Sequence, residues 1–340
     1  MTLNATIGFV AIARATFDVP FAEEKTAQVR QALSTAGLDV VGSADLVMND
    51  DSVQQAITAL SDAQPDLLLI VQASFADSTM VRALADAIDA PLLIWALPEP
   101  RAGGRLRLNS FCGLNLAGHS LRRAGHRYDY IYADPDDAAA IAKVRTLATA
   151  AAVKTRLRTA RIGRFGENPA GFETCLFDAD TLRQRLGVDV VQVELNSVFE
   201  GARQADPAQV AEVEAQVRAQ LPNYDDVNAD EARGTLSTYV TFKGMAQQQD
   251  LHGMAVRCWP EFFTDLGCSA CGAMSMMSNE QVPASCEADV NGTITQLMLQ
   301  WVSGSAAFGS DLVSFDIADD TAVLWHCGLA PLTMADPDAV

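Results

Sequence analysis

Residues 66–97, DLLLIVQASFADSTMVRALADAIDAPLLIWAL, decide the fold. Two unbroken apolar runs, Leu67 to Gln72 and Leu92 to Leu97, have strand length and none of the polar alternation of a strand with one wet face. They read as strands buried on both sides. Between them, residues 78–88 carry helical spacing. A strand, a helix and a second buried strand make a βαβ unit, which places its strands in a parallel sheet. Outward from it, residues 6–13, 40–42 and 128–133 read as further strands, and 21–36, 52–63 and 117–124 as helices. The order βαβαβαβαβ predicts a doubly wound parallel sheet covered on both faces, Rossmann-like or flavodoxin-like. Gly8, Gly37 and Gly42 do not form a G-x-G-x-x-G turn and no G-x-x-x-x-G-K-[ST] occurs, so nucleotide binding has no support.

At 340 residues the chain exceeds what one core usually serves. An Ala-rich helix over 136–157 leads into a strand at 161–165. This predicts an N-terminal α/β domain over 1–155 and a second, of the same doubly wound class, over 156–340. The second continues with helix over 179–186, strand over 189–195, and helices over 207–221 and 229–249. From Gly253 onward, short apolar runs separated by Gly, Pro, Cys and Met hold most of the uncommon residues, and chemistry is expected there.

With 24 Lys plus Arg against 43 Asp plus Glu, the net charge of -19 repels a phosphate backbone, so nucleic acid is not an expected partner. The N-terminal apolar stretch ends at Arg14 without a basic leader, and no run approaches the roughly 20 apolar residues of a membrane helix. A cytoplasmic protein that does not span a membrane is expected. Seven scattered cysteines fit reduced thiols better than a disulfide framework. Cys268 and Cys271 form one C-x-x-C; with Cys258 and Cys286 they offer either a four-thiolate zinc site or buried inert thiols.

The stretch Pro283-Ala-Ser-Cys-Glu-Ala-Asp-Val-Asn-Gly-Thr293 ends a strand and starts a helix. Asp289 is placed as its N-cap and Glu287 at the junction, where α/β sheets open a crevice. After the helix come Phe308, Asp311 at the start of a strand, and Leu324-Trp-His-Cys-Gly328. On Glu287, Asn291-Gly292, Met298-Leu299, Phe308, Asp311 and this last turn, the chain resembles the L-fucose isomerase family, within the larger L-fucose/L-arabinose isomerase group. The specific part of the resemblance spans residues 229–331; the first domain agrees in general layout. It implies an aldose-ketose isomerase working on a monosaccharide in a homo-oligomer. It also implies that a Glu and an Asp with the separation of Glu287 and Asp311 bind a divalent metal, usually manganese, and act as the acid-base pair. Proton movement between adjacent sugar carbons calls for such carboxylates and a hard Lewis acid. Periodicity alone does not bring the two together, since a parallel β-α-β arrangement would separate them across the sheet.

Trp259 and Glu261 are read either as a sugar-stacking ring with a polar contact or as a buried Trp and a solvated Glu. Arg14, from a neighbouring subunit, and Lys243 either bind sugar hydroxyls or lie on the surface. His326 is a sugar contact, an auxiliary ligand or a satisfied core histidine. The resemblance further implies a C-terminal β-rich domain carrying a third metal-binding His. The histidines here are His119, His126, His252 and His326, so either the chain is a shortened version or His326 or Glu261 completes the metal sphere. The alternative functions are a non-catalytic sugar-binding protein and a truncated isomerase fragment.

Overall fold

The fold grows from the strand pair read first. In the computed structural model, which describes residues 3–101 and 103–336, the first unit runs from Leu3 to Thr155. Its elements are β1 (Thr6–Ile12), α1 (Val19–Thr35), β2 (Asp39–Val41), β3 (Leu46–Val47), α2 (Asp50–Ala63), β4 (Leu67–Gln72), α3 (Ser78–Ala87), β5 (Leu92–Ala96), α4 (Ser110–Arg123), β6 (Tyr128–Tyr132) and α5 (Ala138–Leu157). Successive strand side chains point to opposite faces, and both sets are buried. Phe9, Leu69, Val71, Leu93 and Trp95 pack with Val29 and Leu33 of α1 and Val144 of α5. Val10, Ile12, Leu68, Ile70 and Ile94 pack on the other face with Leu60 of α2, Leu84 of α3 and Leu114 of α4. This is why β4 and β5 read as unbroken apolar runs.

The sheet is parallel in the order β2-β1-β4-β5-β6, with the short β3 beside the end of β1. Setting β3 aside, this is the 2-1-3-4-5 winding of the flavodoxin type. β3 had no expectation in the sequence: two residues carry too little pattern.

The second unit starts at Arg156. Its elements are β7 (Arg161–Phe165), α6 (Ala179–Leu186), β8 (Asp189–Val193), α7 (Leu195–Arg203), α8 (Pro207–Gln220), α9 (Ala229–Gln249), β9 (Gly253–Val256), α10 (Cys271–Asn279), β10 (Ala284–Ser285), α11 (Val290–Ser303), β11 (Asp311–Asp316) and β12 (Thr321–Trp325). Strands β7 to β10 form a parallel sheet in the order β10-β9-β7-β8, the same winding with one strand fewer. Phe165, Phe242, Met254, Val256, Phe262 and Met274 centre its core. A Cβ on Gly253 would lie 2.6 Å from Thr293 of α11, and Thr293 Oγ1 donates to the Met254 carbonyl at 2.9 Å. Glycine at 253 therefore lets α11 lie directly on β9.

β11 and β12 leave this sheet and pair only with each other, antiparallel. Leu312, Val313, Phe315, Ile317, Leu324 and Trp325 on this hairpin are all exposed. No helix among the described residues is long and apolar enough to cross a membrane.

Candidate functional site at the carboxyl end of the second sheet

A cavity of about 270 Å³ opens beyond the end of β10, lined by Glu287, Asp311 and His326 together with Ser285, Gln296 and Ser310 among others. Each element delivers its residue by a local rule. β10 stops at Ser285, the chain makes one 3-10 turn, and Asp289 caps α11 by accepting from the Gly292 N–H at 2.9 Å. Between strand and cap, Glu287 and Ala288 are both left-handed, with φ of 55° and 53°. Such backbone costs an L-residue roughly 1–2 kcal/mol and needs outside support. Asn168, just past the end of β7, supplies it: its Nδ2 donates to the Glu287 carbonyl at 2.8 Å and the Ala288 carbonyl at 3.1 Å. Arg164 donates to Asn168 Oδ1 at 2.6 Å and fixes the amide in turn.

The ends of β7, β9 and β10 thus converge on Glu287, on the side where this winding places its crevice. Burial pushes the half-buried Glu287 carboxyl above its ordinary range. Cys258 Sγ, 3.6 Å from Oε1, and nearby His326 oppose that shift, while the like charge of Asp311 adds to it. Asp311 is exposed at the first residue of β11, and His326 follows β12. The hairpin therefore carries both to the cavity, which the chain separation of the carboxylates did not determine.

The donor set suits an oxygen-preferring divalent cation. Two carboxylates face one cavity, and one of them is held in a partly buried, like-charged setting that a cation would relieve.

The other residues singled out in the sequence are not among those lining this cavity. Arg14, in the first unit, is ion-paired with Asp77 and donates to the Met48 carbonyl at 2.9 Å. Lys243 on α9 pairs with Glu280 at 3.0 Å. Glu261 pairs with Arg257 at 2.7 Å, and Trp259 is about half exposed; neither lines the cavity. Sequence reasoning missed Asn168, Ser285 and Gln296. Gln296, buried on α11, donates to Ser285 Oγ at 2.7 Å, and an amide at a core position of a helix is the signal that was available.

The thiols regroup as well. Cys268 packs beside Gly234 of α9. Cys271 instead lies 4.0 Å from Cys286 and 3.9 Å from Cys327, sulfur to sulfur. The Cys286 hydrogen bond, with smaller help from Ser269 and Cys327, holds the Cys271 thiol down at about 5, while Cys258 first, then Cys271 and burial, push Cys286 up.

Comparison with known proteins follows the same division. Residues 8–158 match the N-terminal domain of fucose/sulfoquinovose isomerases, so the first domain, expected to agree only in layout, carries a family match of its own. Over nearly its whole length the chain is similar to sulfoquinovose isomerases: it is 29% identical over 337 residues to that of Priestia aryabhattai, covering 98% of this chain and 75% of that protein. The sulfoquinovose isomerase of Alkalicoccus urumqiensis is 28% identical over 336 residues, covering 97% and 74%. That of Clostridium sp. (strain MSTE9) is 26% identical over 337 residues, covering 98% and 74%.

Proposed function

We propose that this chain is a metal-dependent sugar isomerase that interconverts an aldose and a ketose through an enediol, with Glu287 and Asp311 holding the metal and moving the proton. The observation that carries this reading is the meeting of Glu287, Asp311 and His326 on one cavity at the carboxyl end of a doubly wound sheet. When bound, a hard divalent ion, manganese first, supplies polarisation of the two adjacent sugar oxygens. Glu287, raised by burial, takes up a proton more readily than a surface carboxylate, as a group that removes and returns one near neutral pH must. Asp311 supplies the second charged oxygen donor and His326 a neutral or cationic partner at the rim. Ser285, held by Gln296, and Ser310 offer uncharged contacts to sugar hydroxyls.

The similarity of residues 8–158 to the N-terminal domain of fucose/sulfoquinovose isomerases, and of the chain to sulfoquinovose isomerases, supports isomerisation and makes a sulfonated hexose the first substrate to try. Among the described lining residues none is Lys or Arg. Lys243, Trp259 and Glu261 do not line the cavity and are given no step here, and Arg14 enters only as a sugar contact from a neighbouring subunit. The exposed apolar hairpin supports a homo-oligomer, a large apolar surface of this kind being characteristic of subunit contacts.

The test measures metal content and turnover together on sulfoquinovose, L-fucose and a panel of pentoses and hexoses, for wild type and Glu287→Gln. Manganese-dependent turnover that falls at least about 10³-fold in the variant is expected. Well-folded protein with neither bound metal nor turnover would overturn the reading in favour of a binding protein.

A further inference from the structure

The cavity wall continues into a cluster that shares His326 with the isomerase site and adds two thiols which that chemistry does not use. Cys271 opens α10, and His326 and Cys327 follow β12, so the three arrive from distant parts of the chain. Their ligand atoms all lie within 4.8 Å of one another. Cys271 Sγ is 3.9 Å from Cys327 Sγ, which is 3.8 Å from His326 Nδ1. A tetrahedral zinc with Zn–S of about 2.3 Å and Zn–N of about 2.0–2.1 Å sets its sulfurs about 3.8 Å apart and sulfur to nitrogen about 3.6 Å apart. These two edges are within a few tenths of an ångström of that figure, and the third lies within 4.8 Å.

The segment that brings these donors together is anchored. A Cβ on Gly328 would lie 2.9 Å from Cys271 Cβ, so only glycine lets the backbone after Cys327 rest on the start of α10. Two residues further on, the Ala330 carbonyl accepts from Ser275 Oγ of α10 at 2.7 Å. The Gly328 N–H donates to His326 Nδ1 at 3.2 Å; a metal bound at Nδ1 would take the one lone pair of that nitrogen and replace this hydrogen bond.

We propose that Cys271, Cys327 and His326 form a binding site for a thiophilic divalent cation of the zinc class, separate in donor chemistry from the carboxylates. Soft thiolates select such ions over manganese or magnesium, which the oxygen donors take. Three protein ligands leave the fourth corner to water, with Cys286 4.0 Å behind Cys271. Cys268, although part of the C-x-x-C, is not a donor. A second triad, Cys258, Cys286 and Glu287, is close enough to compete; it mixes buried thiols with the carboxylate assigned to the hard metal.

The full chain, kept reduced and in excess Mg2+ to occupy oxygen donors, is titrated with Co2+. The expected result is one Co2+ per chain with a thiolate-to-cobalt charge-transfer band and intense tetrahedral visible bands, displaced by Zn2+. Cys327→Ser, an exposed position whose fold is checked by circular dichroism, weakens binding at least tenfold and removes much of the charge-transfer intensity. His326→Gln weakens it similarly, while Cys268→Ser and Glu287→Gln leave the spectrum intact. Absence of a sulfur band in wild type, its survival in folded Cys327→Ser, or its loss in Glu287→Gln would each overturn the assignment. The last would move the ion to the Cys258, Cys286 and Glu287 triad. These readouts need no substrate, so they stand apart from the isomerase reading.

Discussion

Both parallel sheets are wound in the same order, yet the residues just beyond their central strands do opposite things. Past β1 and β4 of the first sheet, Arg14 and Asp77 satisfy each other, and Asp77 is also held by the Thr79 hydroxyl and N–H. These contacts, Thr79 foremost and Arg14 after it, hold the Asp77 carboxyl down at about 2. Beyond β9 and β10 of the second, burial pushes Glu287 the other way, and its backbone is strained. One winding thus gives two strand-end regions, of which the first is paired off locally and the second holds a carboxyl raised by burial. Winding supplies a place for a site, and the pairing of the residues there decides whether it is one.

The sharpest way to break this contrast is Asp311→Asn. A drop in turnover of about 10³-fold or more is expected, measured with saturating manganese on the substrate the panel identifies. Turnover within tenfold of wild type would leave the second crevice no more catalytic than the first.

Next in size is Asn168→Ala. It removes hydrogen bonds to the buried Ala288 carbonyl and to that of Glu287, and with them the support of the left-handed turn. Stability should fall by about 2–3 kcal/mol, read as a lower urea midpoint at unchanged slope. An unchanged midpoint would show that the turn is held without the amide.

The two carboxylates should then respond to pH with opposite sign. Asp77 has a folded value below its unfolded one, so its stabilisation is present above the ordinary carboxylate range and is lost as pH falls towards about 2. Asp77→Asn should accordingly cost about 1 kcal/mol or less near neutrality, because the pair is partly exposed, and the gap should close at low pH. Glu287 has a folded value above its unfolded one, so the metal-free native state loses stability as pH rises from the ordinary range through the folded value. Metal-free Glu287→Gln should escape that loss and melt slightly higher than wild type at neutral pH, with the difference vanishing in acid. Equal melting of the two at all pH values would remove the electrostatic half of the contrast.

Amino-acid order by itself determined the elements whose cause is local. Buried strands announced themselves as unbroken apolar runs from Leu67 and Leu92, because side chains alternating across a covered sheet are apolar on both faces. Asp289 was legible as a cap because its acceptor and the Gly292 donor are three residues apart. Glu287 and Asp311 were singled out through resemblance, and local pattern contained no means of joining them. Only the tertiary structure decided that the chain leaves the sheet after α11 for a hairpin that returns Asp311 and His326 to the Glu287 cavity. It alone replaced Cys268 with Cys327 among the clustered thiols, and placed Asn168 under the strained turn. Those outcomes depend on strand order and on where glycine permits two backbones to touch, at Gly253 and Gly328. Such long-range contacts leave no period in the sequence for a local reading to detect.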